Sequence, residues 1–195
     1  MALVTPYVTE KFIAYIGDVV TTNLTFAVWL ADEYTQKAPI GSVQAMLKGT
    51  GVKAPRNVSG YYLFTDLPHG TYEVSIESEL YFSEAATVDT LTLPPKNPVM
   101  EILLKPKPAY PFPSNATLVR GIVSNAGAVV ADAVISVTGK AVKSTTNEGG
   151  EFVLYFKGIK SELITIEITK GANTKSVTAT IMEGKTVSLG TIPFP

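Results

Sequence analysis

Residues 105–113 read Lys105-Pro106-Lys107-Pro108-Ala109-Tyr110-Pro111-Phe112-Pro113. Proline at alternate positions strips the backbone of N–H donors and fixes φ, which favours an extended polyproline conformation. The stretch is predicted to be a short, semi-rigid spacer. It divides the chain into a domain of residues 1–105, a Pro-rich linker of 106–113 and a second domain of 114–195. A second proline group, Pro94, Pro95 and Pro98, marks the turn into the last strand before the spacer, residues 99–105.

On both sides of this stretch the apolar residues alternate in short runs rich in Val, Ile, Thr, Tyr and Phe, bounded by Gly, Pro, Asn and Asp. That is the pattern of half-buried strands at sandwich spacing, and no helical period competes with it. After the spacer, strands are predicted over 118–124, 133–138, 141–145, 151–156, 163–170, 174–181 and 186–192. Before it, the runs are 5–16, 22–30, 42–47, 61–66, 70–78, 85–93 and 99–105. The fold class expected is all-β, with two tandem seven-stranded Greek-key β-sandwiches. The first half carries the longer loops, notably 48–59, where a scaffold usually places a binding site.

The halves share an order of features. Phe26-Ala27-Val28-Trp29-Leu30 leading to Ser42-Val43-Gln44-Ala45-Met46-Leu47 parallels Leu118-Val119-Arg120-Gly121-Ile122-Val123 leading to Ala133-Val134-Ile135-Ser136-Val137. Gly60-Tyr61-Tyr62-Leu63-Phe64 parallels Gly150-Glu151-Phe152-Val153-Leu154, each a hairpin glycine followed by a core aromatic. The strand beginning at Thr71 parallels residues 163–168. Degenerate order without close identity points to diverged copies of one unit.

Gly121, Val123, Ala133, Val134, Val137, Thr145, Thr146, Asn147, Gly150 and Phe152 give the second half a pattern that resembles carboxypeptidase-regulatory-like domains, small prealbumin-like (transthyretin-like) sandwiches. The first half resembles the same superfamily through Asp66-Leu67-Pro68-His69-Gly70-Thr71-Tyr72. The resemblance implies a sandwich of prealbumin-like or Ig-like kind. It implies little about function, because members serve as accessory domains of peptidases, surface adhesins, starch-binding-like modules and transport receptors. Where the family carries further Asp residues, this sequence has Asn147 and Glu148.

Composition narrows the function classes. Sixteen basic and 17 acidic residues without clustering leave no footprint for a phosphate backbone, so nucleic acid is not an expected partner. The absence of cysteine excludes disulfides, thiolate metal sites and a Cys nucleophile. No apolar run approaches the 18 or more residues of a membrane span, and residues 1–16 are interrupted by Thr5, Pro6, Thr9, Glu10 and Lys11, so no signal peptide and no membrane insertion are expected.

Candidate chemistry is sparse. His69 is the only histidine and sits in a turn, so a His-centred triad would have to rest on it without an evident nucleophile. Asp32, Glu33, Asp66, Glu77 and Glu79 are the densest acids. Glu77 and Glu79 share one strand face and as a pair could serve glycoside hydrolysis or bind calcium, but without a calcium-loop pattern they read as a solvated strand face beside solvated loop acids such as Asp32. No catalytic residue, metal site or cofactor is expected. Among the aromatics, Tyr61 and Tyr62 must split between two faces. Tyr81 and Phe82, beside Ser83-Glu84, are the expected surface pair, with Trp29 and Tyr34 as further candidate ligand-binding positions for a carbohydrate or protein partner. Asn23, Asn57 and Asn115 begin Asn-x-Ser/Thr triplets and point weakly to an extracellular or cell-surface setting. The expected function is a non-catalytic structural or interaction module. The alternatives are a carbohydrate- or peptide-binding domain and a subunit of a larger assembly joined by β-strand addition.

Overall fold

The computed structural model describes residues 21–195, and before them only the backbone pairing of β1 (Tyr7–Val8) with β2 (Ile13–Ala14). The rest of the run expected over 5–16 lies outside the described residues. From there the chain is strand, turn and loop, as the alternation requires. The next six strands are β3 (Leu24–Asp32), β4 (Val43–Leu47), β5 (Tyr62–Thr65), β6 (Thr71–Ser78), β7 (Glu84–Asp89) and β8 (Val99–Leu104). They form two three-stranded sheets, β5-β3-β8 and β4-β6-β7. Phe26, Val28 and Leu30 alternate inward along β3 and share one core with Tyr62, Phe64, Val74, Ile76 and Leu104. Phe26 and Phe64 stack at 4.6 Å between centroids.

The later strands are β9 (Thr117–Asn125), β10 (Ala128–Val129), β11 (Val134–Val137), β12 (Lys143–Thr145), β13 (Glu151–Phe156), β14 (Ser161–Lys170), β15 (Asn173–Met182) and β16 (Thr186–Pro193). One sheet holds β9 between β13 and β16, with β10 folding back on the end of β9; the other runs β12-β11-β14-β15. Val119, Phe152, Leu154, Ile135, Ile164, Ile166, Ile168 and Ile181 meet in a second core.

The pairing pattern is the same in both halves. The first strand of each, β3 or β9, is central, antiparallel to β5 or β13 and parallel to the last strand, β8 or β16. In the facing sheet, β4-β6-β7 corresponds to β11-β14-β15, antiparallel throughout. The repeat read from the sequence is thus a repeat of strand topology, and the paired segments fall on equivalent strands. Apart from shifts of one or two residues at strand ends, two features differ from expectation. The run expected over 85–93 ends at Asp89, whose Oδ1 accepts the Leu91 N–H at 3.0 Å and turns the chain. The two-residue β10 was not expected, being too short to show alternation.

Two glycines in the second half are required by close approach. Gly121 lies across from Phe152, whose ring would sit 2.8 Å from an added Cβ. Gly150 has φ +72°, and a Cβ there would lie 2.6 Å from the Val123 carbonyl oxygen. Next to it, Asn147 Oδ1 accepts the N–H groups of Gly149 and Glu151, each at 2.9 Å, so the turn is held by the Asn147 side chain. Gly150→Ala is expected to cost about 3 kcal/mol or more, combining left-handed strain with a backbone clash. Gly171→Ala, at φ +59° with open space around it, should cost only about 1 kcal/mol. Urea denaturation of the two variants checks the difference.

Candidate functional site

The carboxylate of Asp32, at the end of β3, is fully buried. A solvated loop acid was expected, and the structure corrects this. Oδ1 accepts the N–H groups of Tyr34 at 2.7 Å and Thr35 at 3.2 Å, closing the turn after β3. Oδ2 accepts the hydroxyls of Tyr81, at 3.1 Å, and Tyr110. The Tyr81 oxygen in turn accepts the Ile40 N–H at 3.1 Å. A buried carboxylate is costly unless its lone pairs are occupied. Here four donors occupy them.

Tyr81, expected at the surface with Phe82, is therefore a core residue with no exposed area. Its burial follows from the proline segment. Phe82 N–H donates to Lys105 C=O at 2.9 Å and Lys107 N–H to Leu80 C=O at 2.8 Å, a bridge that sets Pro106 opposite Tyr81. In that register the Lys105 carbonyl accepts and the Lys107 N–H donates, and no N–H is required of Pro106 between them. Ile102, Leu104, Pro106, Pro108 and Tyr110 are all buried while alternate residues are more exposed, so the inward alternation of β8 continues through the prolines. The segment expected to be a short, semi-rigid spacer packs along the first sandwich from Pro106 to Tyr110.

Beyond Tyr110 the same segment reaches the second half. Tyr81, Tyr110, Phe112, Tyr34 and Tyr155 form a chain of ring contacts at 5.6, 4.7, 5.0 and 5.3 Å between centroids. Tyr34 and Phe112 pack with Ala116, Leu118 and Val153 on the outer face of the β13-β9 pair. Arg120 donates to Pro108 C=O at 2.7 Å and lies over the Phe112 ring, while Lys157 donates to the Tyr34 carbonyl and lies over its ring. Tyr34 is thus part of the joint between the halves. Trp29 is half-buried on the outer face of β3 and packs against Tyr61 at 5.0 Å; Tyr62 is the core member of the Tyr61-Tyr62 pair. His69 is exposed in its turn, as are Glu77 and Glu79.

Burial, then the hydrogen bond to Asp32, raises the Tyr110 phenol above its ordinary range. Burial likewise pushes Tyr81 up to about 12, with the Asp32 charge adding to it. The Tyr155 phenol is raised by burial and by the neighbouring Glu33 carboxylate.

Beside the joint, the halves enclose a cleft of about 590 Å³. Pro106, Lys107, Ala109, Val153 and Tyr155 line it; Glu33, Glu79, Phe82 and Glu84 contribute from the first half, and Asp132 with residues 143–148 from the second. Phe82 is the one expected ligand-binding residue found in this cleft, where it is half-buried. The cleft itself had no sequence signal, because its walls are gathered from separate stretches scattered between Glu33 and Tyr155. No group of three or more metal-ligating side chains occurs among the described residues. No helix there is long and apolar enough to cross a membrane.

No protein-family model and no curated protein matches the chain. Similar solved structures include a type II cohesin–X-dockerin complex from Acetivibrio cellulolyticus, with 18% identity and a TM-score of 0.33 over 38% of this chain. The likeness spans about half, 52%, of that chain's length. The minor pilin GBS52 of Streptococcus agalactiae is 13% identical with a TM-score of 0.30, covering 87% of this chain and 94% of its own. The shaft pilin SpaA of Lactobacillus rhamnosus GG is 13% identical with a TM-score of 0.32, covering 89% and 97%. Likenesses this low assign no activity to the chain.

Tyr110→Phe removes one donor from the buried carboxylate and should cost about 1.5–3 kcal/mol. The raised phenols set the sign at alkaline pH. Their contribution is complete below pH 10, the ordinary phenol value, and declines as pH rises through about 12, because the unfolded chain gives up the protons first. Urea denaturation from pH 8 to 11 should show falling stability above pH 10, with a shallower fall in Tyr110→Phe.

Proposed function

We propose that this chain is a non-catalytic structural and interaction module in which two sandwiches of carboxypeptidase-regulatory-like, prealbumin-like type, residues 1–105 and 114–195, are held by a stiff joint at 106–113. The observation that carries the reading is the joint. A tether that only connects domains leaves its prolines in water, whereas here Pro106, Pro108 and Tyr110 are buried and the ring chain runs from one core to the other half. Such a joint fixes distance and orientation, which is what a spacer in a larger surface assembly needs. The duplicated topology supports a common origin for the two units.

Support for the non-catalytic part is the use to which the polar groups are put. The buried carboxylate has its lone pairs filled by the fold, and His69 stands in an exposed turn. An extracellular or cell-surface setting is supported by the exposure of Asn23, Asn57 and Asn115, each of which begins a glycosylation triplet. Peptide binding is a second reading, favoured by Phe82 in the cleft between the halves. Carbohydrate binding would draw on the Trp29 and Tyr61 pair.

The joint is tested by NMR relaxation. The wild-type halves should tumble as one body with a single rotational correlation time. In a Tyr34→Ala, Phe112→Ala double variant each half should tumble separately and at least about twofold faster. Independent tumbling in the wild type would remove the basis for a rigid spacer.

A further inference from the structure

We infer that the cleft between the halves binds an extended cationic peptide segment, added as a strand to the edge of β12. This rests on the stiff joint, which keeps the cleft open at constant width. β12 pairs on one side only, with β11. The hydrogen-bonded positions are set by the Val137 N–H to Val142 C=O bond at 3.1 Å and the Thr146 N–H to Ala133 C=O bond at 2.9 Å. In that antiparallel register Ser144 pairs with Ile135. The backbone N–H and C=O groups of Lys143 and Thr145 therefore point away from β11. Both residues line the cleft. The cleft thus holds a row of free donors and acceptors spaced for one more strand.

The electrostatics select the occupant. Lys105 is spent on Glu84 at 3.7 Å, and Lys107 Nζ donates to the Ser78 carbonyl at 2.8 Å. Glu33, Glu79, Asp132 and Glu148 make no salt bridge among the described residues, and Lys143 is the one cleft lysine without such an engagement. A strand carrying Lys or Arg at alternate positions would turn those charges to the acidic walls and its other face to Phe82 and Tyr155. The volume of about 590 Å³ lies within the range of ligand clefts. Three residues of edge, guarded by Lys143 and set between two sandwiches, exclude a flat sheet while admitting one chain.

The probe is an acetylated, amidated Thr-Lys repeat of eight residues, titrated into the full chain with amide NMR detection. Shifts should concentrate at Lys143, Thr145, Asp132 and Glu33. Affinity should fall at least tenfold for a Thr-Glu repeat, for the Thr-Lys peptide N-methylated at alternate residues, and on Glu79→Lys with Glu148→Lys. Lys143→Pro removes an outward N–H that β11 does not use and should weaken binding at least fivefold with thermal unfolding unchanged; Thr145→Pro is the second edge variant should the first lose stability. Equal affinity for the N-methylated peptide would overturn strand addition. Absence of shifts in the cleft, or concentration-dependent self-association through β12 in its place, would overturn the peptide as occupant. A single correlation time for both halves together with no peptide binding would refute this inference while leaving the spacer reading intact.

Discussion

The structure turns on one carboxylate. Asp32 ends β3, the central strand of its sheet, and its two oxygens gather three separate pieces of chain. Oδ1 closes the turn that presents Tyr34, and Oδ2 holds Tyr81 from the β6–β7 connection and Tyr110 from the proline segment. The contacts are interdependent. Without Tyr110 the carboxylate loses a donor; without the carboxylate, two phenol hydroxyls are buried with less to satisfy them. Deleting one member of such a network costs more than its own bond, because the remaining groups stay buried and cannot recover water. That coupling converts a proline-rich connection into part of the first sandwich, and its far end, Phe112, into a bearing for the second.

Strand positions were legible from alternation, because a period of two leaves a direct mark wherever one sheet face is buried. The repeat was legible as well, since hairpin glycines and the aromatics after them keep their order when identity has faded. Gly121 and Phe152 show why: the ring occupies the space a Cβ would need, so the two positions constrain each other across the β9–β13 pair. The packing of the proline segment was not legible, although the same period runs through it in another residue type. Proline at alternate positions is shared by a solvated polyproline rod and by an extended edge that buries every second side chain. Local sequence does not separate them, because the distinguishing fact is whether residues 80–82 stand alongside.

The candidate site was legible only in fragments. Tyr81 and Phe82 are adjacent and point opposite ways, so one enters the core and the other borders the cleft. Asp32 was read as a loop acid because nothing near it in sequence carries the partners that bury it; Tyr81 lies 49 residues away and Tyr110 78. Non-local satisfaction of a buried charge is invisible to any reading that proceeds by neighbours. The same holds for the cleft, whose walls meet only once Tyr34, Phe112 and Tyr155 have set the halves side by side.

The two halves are alike in strand topology yet differ in what their outer faces carry. In the second half, the outer face of the β13-β9 pair carries Leu118 and Val153, apolar residues that an isolated sandwich would leave in water. They are covered by Tyr34 and Phe112, which belong to the first half and its extension. The cost of exposing that face makes the joint a thermodynamic part of the second sandwich, at about 25 cal/mol for each Å² of apolar surface removed from water. The burial that fixes the orientation of the halves therefore also stabilises the half that receives it. The β12 edge lines the cleft beside this contact, and the backbone groups that β11 does not use lie open there.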